Sequence, residues 1–179
     1  KHAHLQLKAM NWSPNLLEMG HFETAEEFIG PLTESIRPHL SEDTHLLFSY
    51  HGLPVSHVKR IDRSKAHCQT VEACCTVKCE ANSLCYGRHC NETTMAVVER
   101  LGLKPDQWSL SYQSRLGPVK WLEPSTTQMV EALVKKGVKK LAIVAPAFLA
   151  DGLETLEELD IGIREEFMEH GGTELKVIN

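Results

Sequence analysis

The side chains best suited to chemistry are one histidine and a line of carboxylates. His51 follows an apolar run, and an imidazole with its ordinary pKa of about 6.5 can accept a proton or ligate a metal ion. Asp151, Glu154 and Glu158 are separated by three and four residues, a spacing that would place them on one helix face. A histidine that faces a line of carboxylates could bind a divalent cation or accept departing protons. The alternatives are a histidine bonded to a loop carbonyl and acids that favour a helix N-terminus.

The cysteines form a second group. All six lie between Cys68 and Cys90. Disulfides usually join distant segments of secreted chains. The first residues, Lys1 to Lys8, are polar and do not have the pattern of an export signal. We therefore interpret the thiols as metal ligands.

Bulk composition limits the possible partners. Hydrophobic residues make up 42% and charged residues 24%, as in an ordinary globular protein, and the net charge is -5. This balance does not favour nucleic acid or an anionic membrane surface. No apolar run approaches the roughly 20 residues needed to cross a bilayer. We expect no nucleic-acid partner, no transmembrane segment and a cytoplasmic location, with peripheral membrane attachment left open.

Four apolar runs must position these groups. We predict strands at His45–Tyr50, Trp108–Tyr112, Leu141–Ala145 and Glu174–Ile178. Apolar residues at helical spacing precede each strand, within 25–36, 95–101, 129–134 and 156–167. The alternation predicts an α/β fold, a doubly wound four-stranded parallel sheet covered on both faces. Residues 59–90 break the rhythm and form a cysteine-rich insert within the single domain 1–179.

Ligands bind outside the carboxyl ends of strands in open parallel sheets. His51, Tyr112 and Phe148 lie at or just beyond strand ends. We expect Tyr112, Trp121 and Phe148 to form an aromatic wall for a flat ligand. Core packing is the competing explanation for these side chains, above all for Phe148. Arg115 is predicted to hold an acidic group of the ligand or to brace its own loop.

Three separated motifs in register resemble the ferrochelatase family. The segments are Leu46–Pro54, Tyr112–Gly117 with Trp121–Pro124, and Phe148–Glu158. The resemblance extends over almost the whole chain from about His21. It implies a chelatase-like (Rossmann-like) lobe of an enzyme that inserts Fe²⁺ into protoporphyrin IX to make protoheme. Fe²⁺ and the porphyrin would then be substrates.

The resemblance also implies roles for individual residues. His51 is the group to which proton removal, metal binding or both are assigned, and Glu154 faces it across the porphyrin. An acidic line through Glu158 conducts metal or protons. Two positions depart from the family pattern: Gly152 stands where many members have a histidine, and Gly162 where a further acid occurs. These departures predict a thinner metal path or one that relies on Asp151.

The resemblance covers only the second of the family's two lobes. The chain begins at Lys1 without a methionine and stops at Asn179 directly after a predicted strand. We expect a C-terminal fragment of a longer enzyme, whose missing N-terminal lobe is its partner across the porphyrin. Alone, the fragment should have little or no activity.

The insert is expected to hold a [2Fe–2S] cluster, as some members of the family do. Cys90 matches a cysteine found in many members without an insert, so it is the least favoured ligand. Adjacent cysteines rarely both bind, which favours Cys75 over Cys74. The predicted ligands are Cys68, Cys75, Cys79 and Cys85. Zn²⁺ on four thiolates is the main alternative.

Two other functions remain open from the sequence. One is a related chelatase that inserts cobalt or nickel into a different tetrapyrrole. The other is a non-catalytic iron–sulfur sensor that keeps a degenerate chelatase lobe. The presence of both His51 and Glu154 argues against the sensor, and the segment from Gln113 to Arg115 with Trp121 favours the heme enzyme.

Overall fold

A four-stranded parallel sheet forms the centre of the fold. The computed structural model describes residues 2–17 and 20–178. The strands are β1 (Thr44–His51), β2 (Trp108–Gln113), β3 (Lys140–Val144) and β4 (Glu174–Ile178). They lie in the order β2-β1-β3-β4, and every neighbouring pair is parallel. Each predicted strand is confirmed to within one residue at either end, and the carboxyl ends of β1, β2 and β3 meet at one edge.

Helices connect the strands. They are α1 (His2–Ala9), α2 (Glu26–Ile36), α3 (Val55–Ile61), α4 (Tyr86–Leu101), α5 (Thr126–Lys135) and α6 (Arg164–Glu169). A π-helix, Glu154–Ile163, precedes α6 directly, so the helix predicted within 156–167 is divided between two helix types. Gly102, Gly137 and Gly171 follow helices with φ of 70°, 90° and 100°. These left-handed positions explain why glycine ends the helices there.

Both faces of the sheet are covered, which confirms the doubly wound prediction. Side chains alternate along a strand, so Leu46 and Phe48 of β1 pack on one face and Leu47 on the other. Residues of α2 and α4 complete the first cluster, and residues of α5, the π-helix and α6 complete the second. Phe48 and Phe167 are fully buried, one in each cluster. None of the helices in the described residues is both long and apolar enough to span a membrane.

The insert is ordered by polar side chains. Helix α3 ends at Ile61 and α4 begins at Tyr86, and between them the structure has only a short 3₁₀ turn, Glu80–Asn82, as regular structure. The Asp62 carboxylate accepts hydrogen bonds from the backbone N–H groups of His67 and Cys68, at 2.9 and 2.8 Å. Hydrogen bonds to this carboxylate, of which the one from the Cys68 backbone has the largest effect, hold the pKa of Asp62 well below its usual range. The start of the insert is thus fixed beside its first cysteine.

His45 at the start of β1 should make stability depend on pH. Its Nε2 lies 2.9 Å from Ser109 Oγ, and burial lowers the pKa of the imidazole. The unfolded chain therefore binds the proton more readily than the folded chain below about pH 6.5, so folding stability is lost as the pH falls. His45→Gln keeps a polar partner for Ser109 but does not titrate.

We expect the free energy of unfolding to fall less steeply between pH 7 and pH 5 in His45→Gln than in the wild type. Urea denaturation at each pH measures it. The exposed His39 supplies the control, because His39→Gln should keep the wild-type slope. Parallel wild-type and His45→Gln profiles would show that His45 does not carry the effect.

Candidate active site and cysteine cluster

His51 is the last residue of β1, at the carboxyl edge of the sheet. Its Nδ1 lies 2.6 Å from the Gly52 carbonyl oxygen. Because a carbonyl oxygen only accepts, Nδ1 carries the hydrogen and the Nε2 lone pair is left to take a proton or a metal ion. The Phe148 ring, from the segment after β3, lies 6.1 Å from the imidazole between ring centroids.

Gln113 connects the histidine strand to the carboxylate helix. It ends β2 and pairs with His51 in the sheet register, and its carbonyl oxygen accepts from Gly52 N at 2.8 Å. Its buried side-chain amide accepts from Ser49 Oγ at 2.7 Å and donates to the Glu154 carbonyl oxygen at 2.8 Å. The predicted site set did not include Gln113. Its place at a strand end beside His51 is the sequence signal that could have revealed it.

The predicted carboxylates have different environments. Glu158 accepts hydrogen bonds from Ser114 N at 2.7 Å and Ser114 Oγ at 2.6 Å, which fixes its carboxylate next to β2. Glu154 begins the π-helix, and a Cβ at Gly152 would come within 2.8 Å of its Oε2. Glycine at 152 therefore makes room for this carboxylate. Asp151 precedes the helix, is exposed, and accepts from Thr155 Oγ1 at 2.9 Å.

The predicted ligand-binding residues are only partly brought together. Trp121 donates from Nε1 to the Leu116 carbonyl oxygen at 3.1 Å, and its ring lies over Gly52, where a Cβ would come within 3.2 Å of it. Arg115 pairs with Glu123 at 3.1 Å on the exposed side of this loop.

Tyr112 lies elsewhere. Its side chain is buried in the core cluster that includes α4, and its hydroxyl is 3.5 Å from the Cβ position of Gly87 beside Cys75. The structure therefore places Tyr112 against the insert and not at the sheet edge. Its side chain therefore lies between the core and the cysteine-rich insert.

Four thiols of the insert are neighbours. Cys74 Sγ and Cys75 Sγ are 3.8 Å apart, and Cys68, Cys74 and Cys85 line one small cavity. A hydrogen bond from Cys75 lowers the pKa of the Cys85 thiol below its usual value. Backbone N–H groups in the first turn of α4 also lower this pKa, as a helix N-terminus favours a thiolate. Burial raises the pKa of the Cys68 thiol to about 11, and the nearby Cys85 and Cys74 add to the rise.

Cys79 and Cys90 have other surroundings. Cys79 Sγ lies 3.7 Å from His67 Nε2, whereas Cys74, which the sequence did not favour, lines the cavity with Cys68 and Cys85. Cys90 is buried in the core cluster that includes residues of α2 and α4. A Cβ at Gly87 would come within 2.9 Å of Cys75 Sγ, so glycine there lets this thiol rest on α4.

The fold and the site define a class: an α/β lobe with a histidine and a line of carboxylates at the carboxyl edge of its sheet. The family model described as Ferrochelatase matches residues 1–179, and the chain belongs to the ferrochelatase family. A ferrochelatase of Pseudomonas syringae pv. syringae (strain B728a) is 43% identical over 158 residues, which are 88% of this chain and 46% of that protein. One of Pseudomonas aeruginosa (strain LESB58) is 44% identical over 152 residues, 84% of this chain and 45% of that protein. The chain thus spans about half the length of the relatives it matches.

Gly52 should be required for the close approach of β1, β2 and the Trp121 loop. A Cβ at this position would come within 2.7 Å of the Gln113 carbonyl oxygen and 3.2 Å of the Trp121 ring. Overpacking of this kind costs about 1–3 kcal/mol, so Gly52→Ala should lower the free energy of unfolding by that amount. Urea denaturation monitored by circular dichroism measures it.

Gly20 provides the control, because a Cβ there meets nothing within 4 Å. Gly20→Ala should leave the free energy of unfolding within about 0.5 kcal/mol of the wild type. Equal stabilities of Gly52→Ala and Gly20→Ala would contradict the close packing at the end of β1.

Proposed function

We propose that this chain supplies one wall of the active site of a ferrochelatase, which inserts Fe²⁺ into protoporphyrin IX to form protoheme. The observation that carries the proposal is the Gln113 side chain, which ties the strand end that bears His51 to the first turn of the helix that bears Glu154. Family membership and the ferrochelatase relatives support it. The remaining half of the longer polypeptide would supply the facing N-terminal lobe.

The chemistry requires two proton acceptors and a path for the metal. Insertion exchanges the two pyrrole N–H protons of the porphyrin for one Fe²⁺ ion. The Nε2 lone pair of His51 would accept one of these protons at the porphyrin face, and the Glu154 carboxylate would accept the other. Glu154 and Glu158, one helical turn apart, would replace water ligands of Fe²⁺ with carboxylate oxygens as the ion approaches. Asp151, exposed just before the helix, would be an outer member of this path.

The segments that follow the strand ends carry exposed apolar side chains, which suit the apolar face of a porphyrin. Leu116, Leu149 and Leu153 are 81%, 76% and 78% exposed in segments that follow the strand ends. We expect these side chains to gather at the carboxyl edge of the sheet, and an exposed apolar patch usually marks a binding site. We propose that it covers the macrocycle, with Trp121 beside it and Arg115 at the edge for a propionate group. Tyr112 would not contact the porphyrin, because its ring is buried in the core against the insert.

His51→Ala in the full-length protein should lower the rate constant of Fe²⁺ insertion by about 10²–10⁴-fold, since general base catalysis contributes that much. Anaerobic assays that follow protoporphyrin fluorescence loss measure it. His57 lies on α3 and is exposed, so His57→Ala should retain the wild-type rate. A His51→Ala enzyme with the wild-type rate would exclude the proposed role.

We further propose that the insert binds a [2Fe–2S] cluster through Cys68, Cys74, Cys75 and Cys85. Neighbouring sulfurs, one of them at a helix N-terminus, are a donor set that suits iron–sulfur clusters. The sequence favoured Cys79 in place of Cys74, since adjacent cysteines rarely both bind. We choose Cys74 despite its adjacency to Cys75, because it lines a cavity with Cys68 and Cys85, whereas Cys79 Sγ lies against His67. The cluster would cross-link an insert that has little apolar core of its own. Free thiols in such number also favour a reducing, cytoplasmic location.

Absorption between roughly 300 and 600 nm should identify the cluster in the anaerobically purified protein, because thiolate-to-iron charge transfer occurs there. Replacing any one of the four proposed ligands should abolish this absorption and the bound iron; the variants are Cys68→Ser, Cys74→Ser, Cys75→Ser and Cys85→Ser. Cys79→Ser is the matched control and should keep both. Colourless protein with bound zinc would overturn the iron–sulfur assignment, and loss of the cluster in Cys79→Ser would overturn the ligand set.

A further inference from the structure

His21, Glu23 and His89 form a cluster of metal-ligating side chains apart from His51 and the cysteines. One ligand atom from each residue lies within 4.8 Å of the others. His21 and Glu23 come from the segment before α2, and His89 lies in the first turns of α4. The cluster therefore joins two parts of the chain that are distant in sequence.

The carboxylate of Glu23 lies between the two imidazoles. His89 Nε2 is 3.3 Å from Glu23 Oε1, and His21 Nδ1 is 3.9 Å from Glu23 Oε2. The ring centroids of His21 and His89 are 4.8 Å apart. Thr93 Oγ1 donates to the Glu23 carbonyl oxygen at 2.8 Å, which anchors this residue to α4. The side chains of Glu23 and His89 are only 17% and 16% exposed, so both are largely fixed in place.

Among the residues that the structure describes, Arg88 is the lysine or arginine whose charge lies near this carboxylate, and that charge has other partners. Its Nη2 is 3.9 Å from Glu23 Oε1, while its Nη1 forms a much closer ion pair with Glu92. The guanidinium also donates to the carbonyl oxygens of Asn82 and Ser83, at 2.9 and 3.0 Å. Glu23 is therefore not required to neutralise Arg88, and its carboxylate is available to a cation.

We propose that His21, Glu23 and His89 bind a divalent transition-metal ion. Two imidazoles and one carboxylate are a donor set for such ions and leave coordination positions for water. Ligand atoms around one ion at about 2.0–2.2 Å lie up to about 4 Å apart, so the cluster must close by less than about 1 Å. His21, whose side chain is 60% exposed, has the freedom to move inward.

A cavity next to the cluster gives an ion access to it. The cavity has a volume of about 300 Å³, and its lining includes all three ligands together with Tyr50 and Leu149. It provides room for the water that completes the coordination. A bound ion would link the start of α2 to the start of α4. The proposal is independent of the metal-insertion chemistry at His51.

Mn²⁺ is the probe, because it favours carboxylate and imidazole ligands over the thiolates of the insert. Electron paramagnetic resonance of free Mn²⁺, measured during titration of the full chain, counts the ions bound per chain. Glu23→Gln and His89→Ala should each remove one Mn²⁺ ion or weaken its binding at least tenfold. His39→Ala, at an exposed histidine elsewhere, should bind Mn²⁺ as the wild type does.

His51→Ala tests whether the counted ion binds at the His51 site instead. This variant should still bind the ion that Glu23→Gln loses. Circular dichroism and the unfolding transition check that each variant is folded, and Glu23→Gln preserves the size of the side chain. Equal Mn²⁺ binding by wild type, Glu23→Gln and His89→Ala would overturn the proposal. The cluster would then be held by protein contacts alone, in which His89 Nε2 lies 3.0 Å from the Ser83 carbonyl oxygen and 3.3 Å from Glu23 Oε1.

Discussion

The site depends on one buried amide. Gln113 is almost fully buried at the end of β2, and both ends of its side chain are satisfied: Ser49 donates to its oxygen, and its nitrogen donates to the Glu154 carbonyl oxygen. Leaving such a group unpaired in the interior costs about 1–3 kcal/mol, so the three elements that meet at Gln113 have one favoured arrangement. That arrangement places the histidine strand and the carboxylate helix at the same edge.

A layer of hydroxyl groups behind the amide supports it. Ser49 Oγ lies 2.8 Å from Thr126 Oγ1, and Ser111 Oγ lies 3.0 Å from the same atom. These contacts link β1 and β2 to the start of α5 within the core. On the other side, Tyr86 at the start of α4 donates to the His51 carbonyl oxygen at 2.8 Å. Because Tyr86 follows Cys85 directly, this hydrogen bond joins the insert to the strand end that bears His51.

The sequence predicted the sheet well, because its information is local. Apolar runs located the four strands to within one residue at either end. It did not predict the contact from Gln113 to Glu154, which joins residues 41 positions apart. Apolar periodicity also did not distinguish the π-helix from an α-helix. The adjacency of Cys74 to Cys75 spoke against Cys74 in the sequence, whereas the path of the irregular insert brings Cys74 to the cavity with Cys68 and Cys85.

The most direct test is the kinetics of Fe²⁺ insertion by Gln113→Leu in the full-length protein, compared with the wild type. The side chain keeps its volume but loses both hydrogen bonds, so His51 and Glu154 remain and only their relative placement is released. We predict a fall in kcat of about tenfold or more in a folded enzyme, since small misplacements of catalytic groups have effects of this size or larger. A Gln113→Leu enzyme with wild-type kcat would contradict the claim that this amide positions the site.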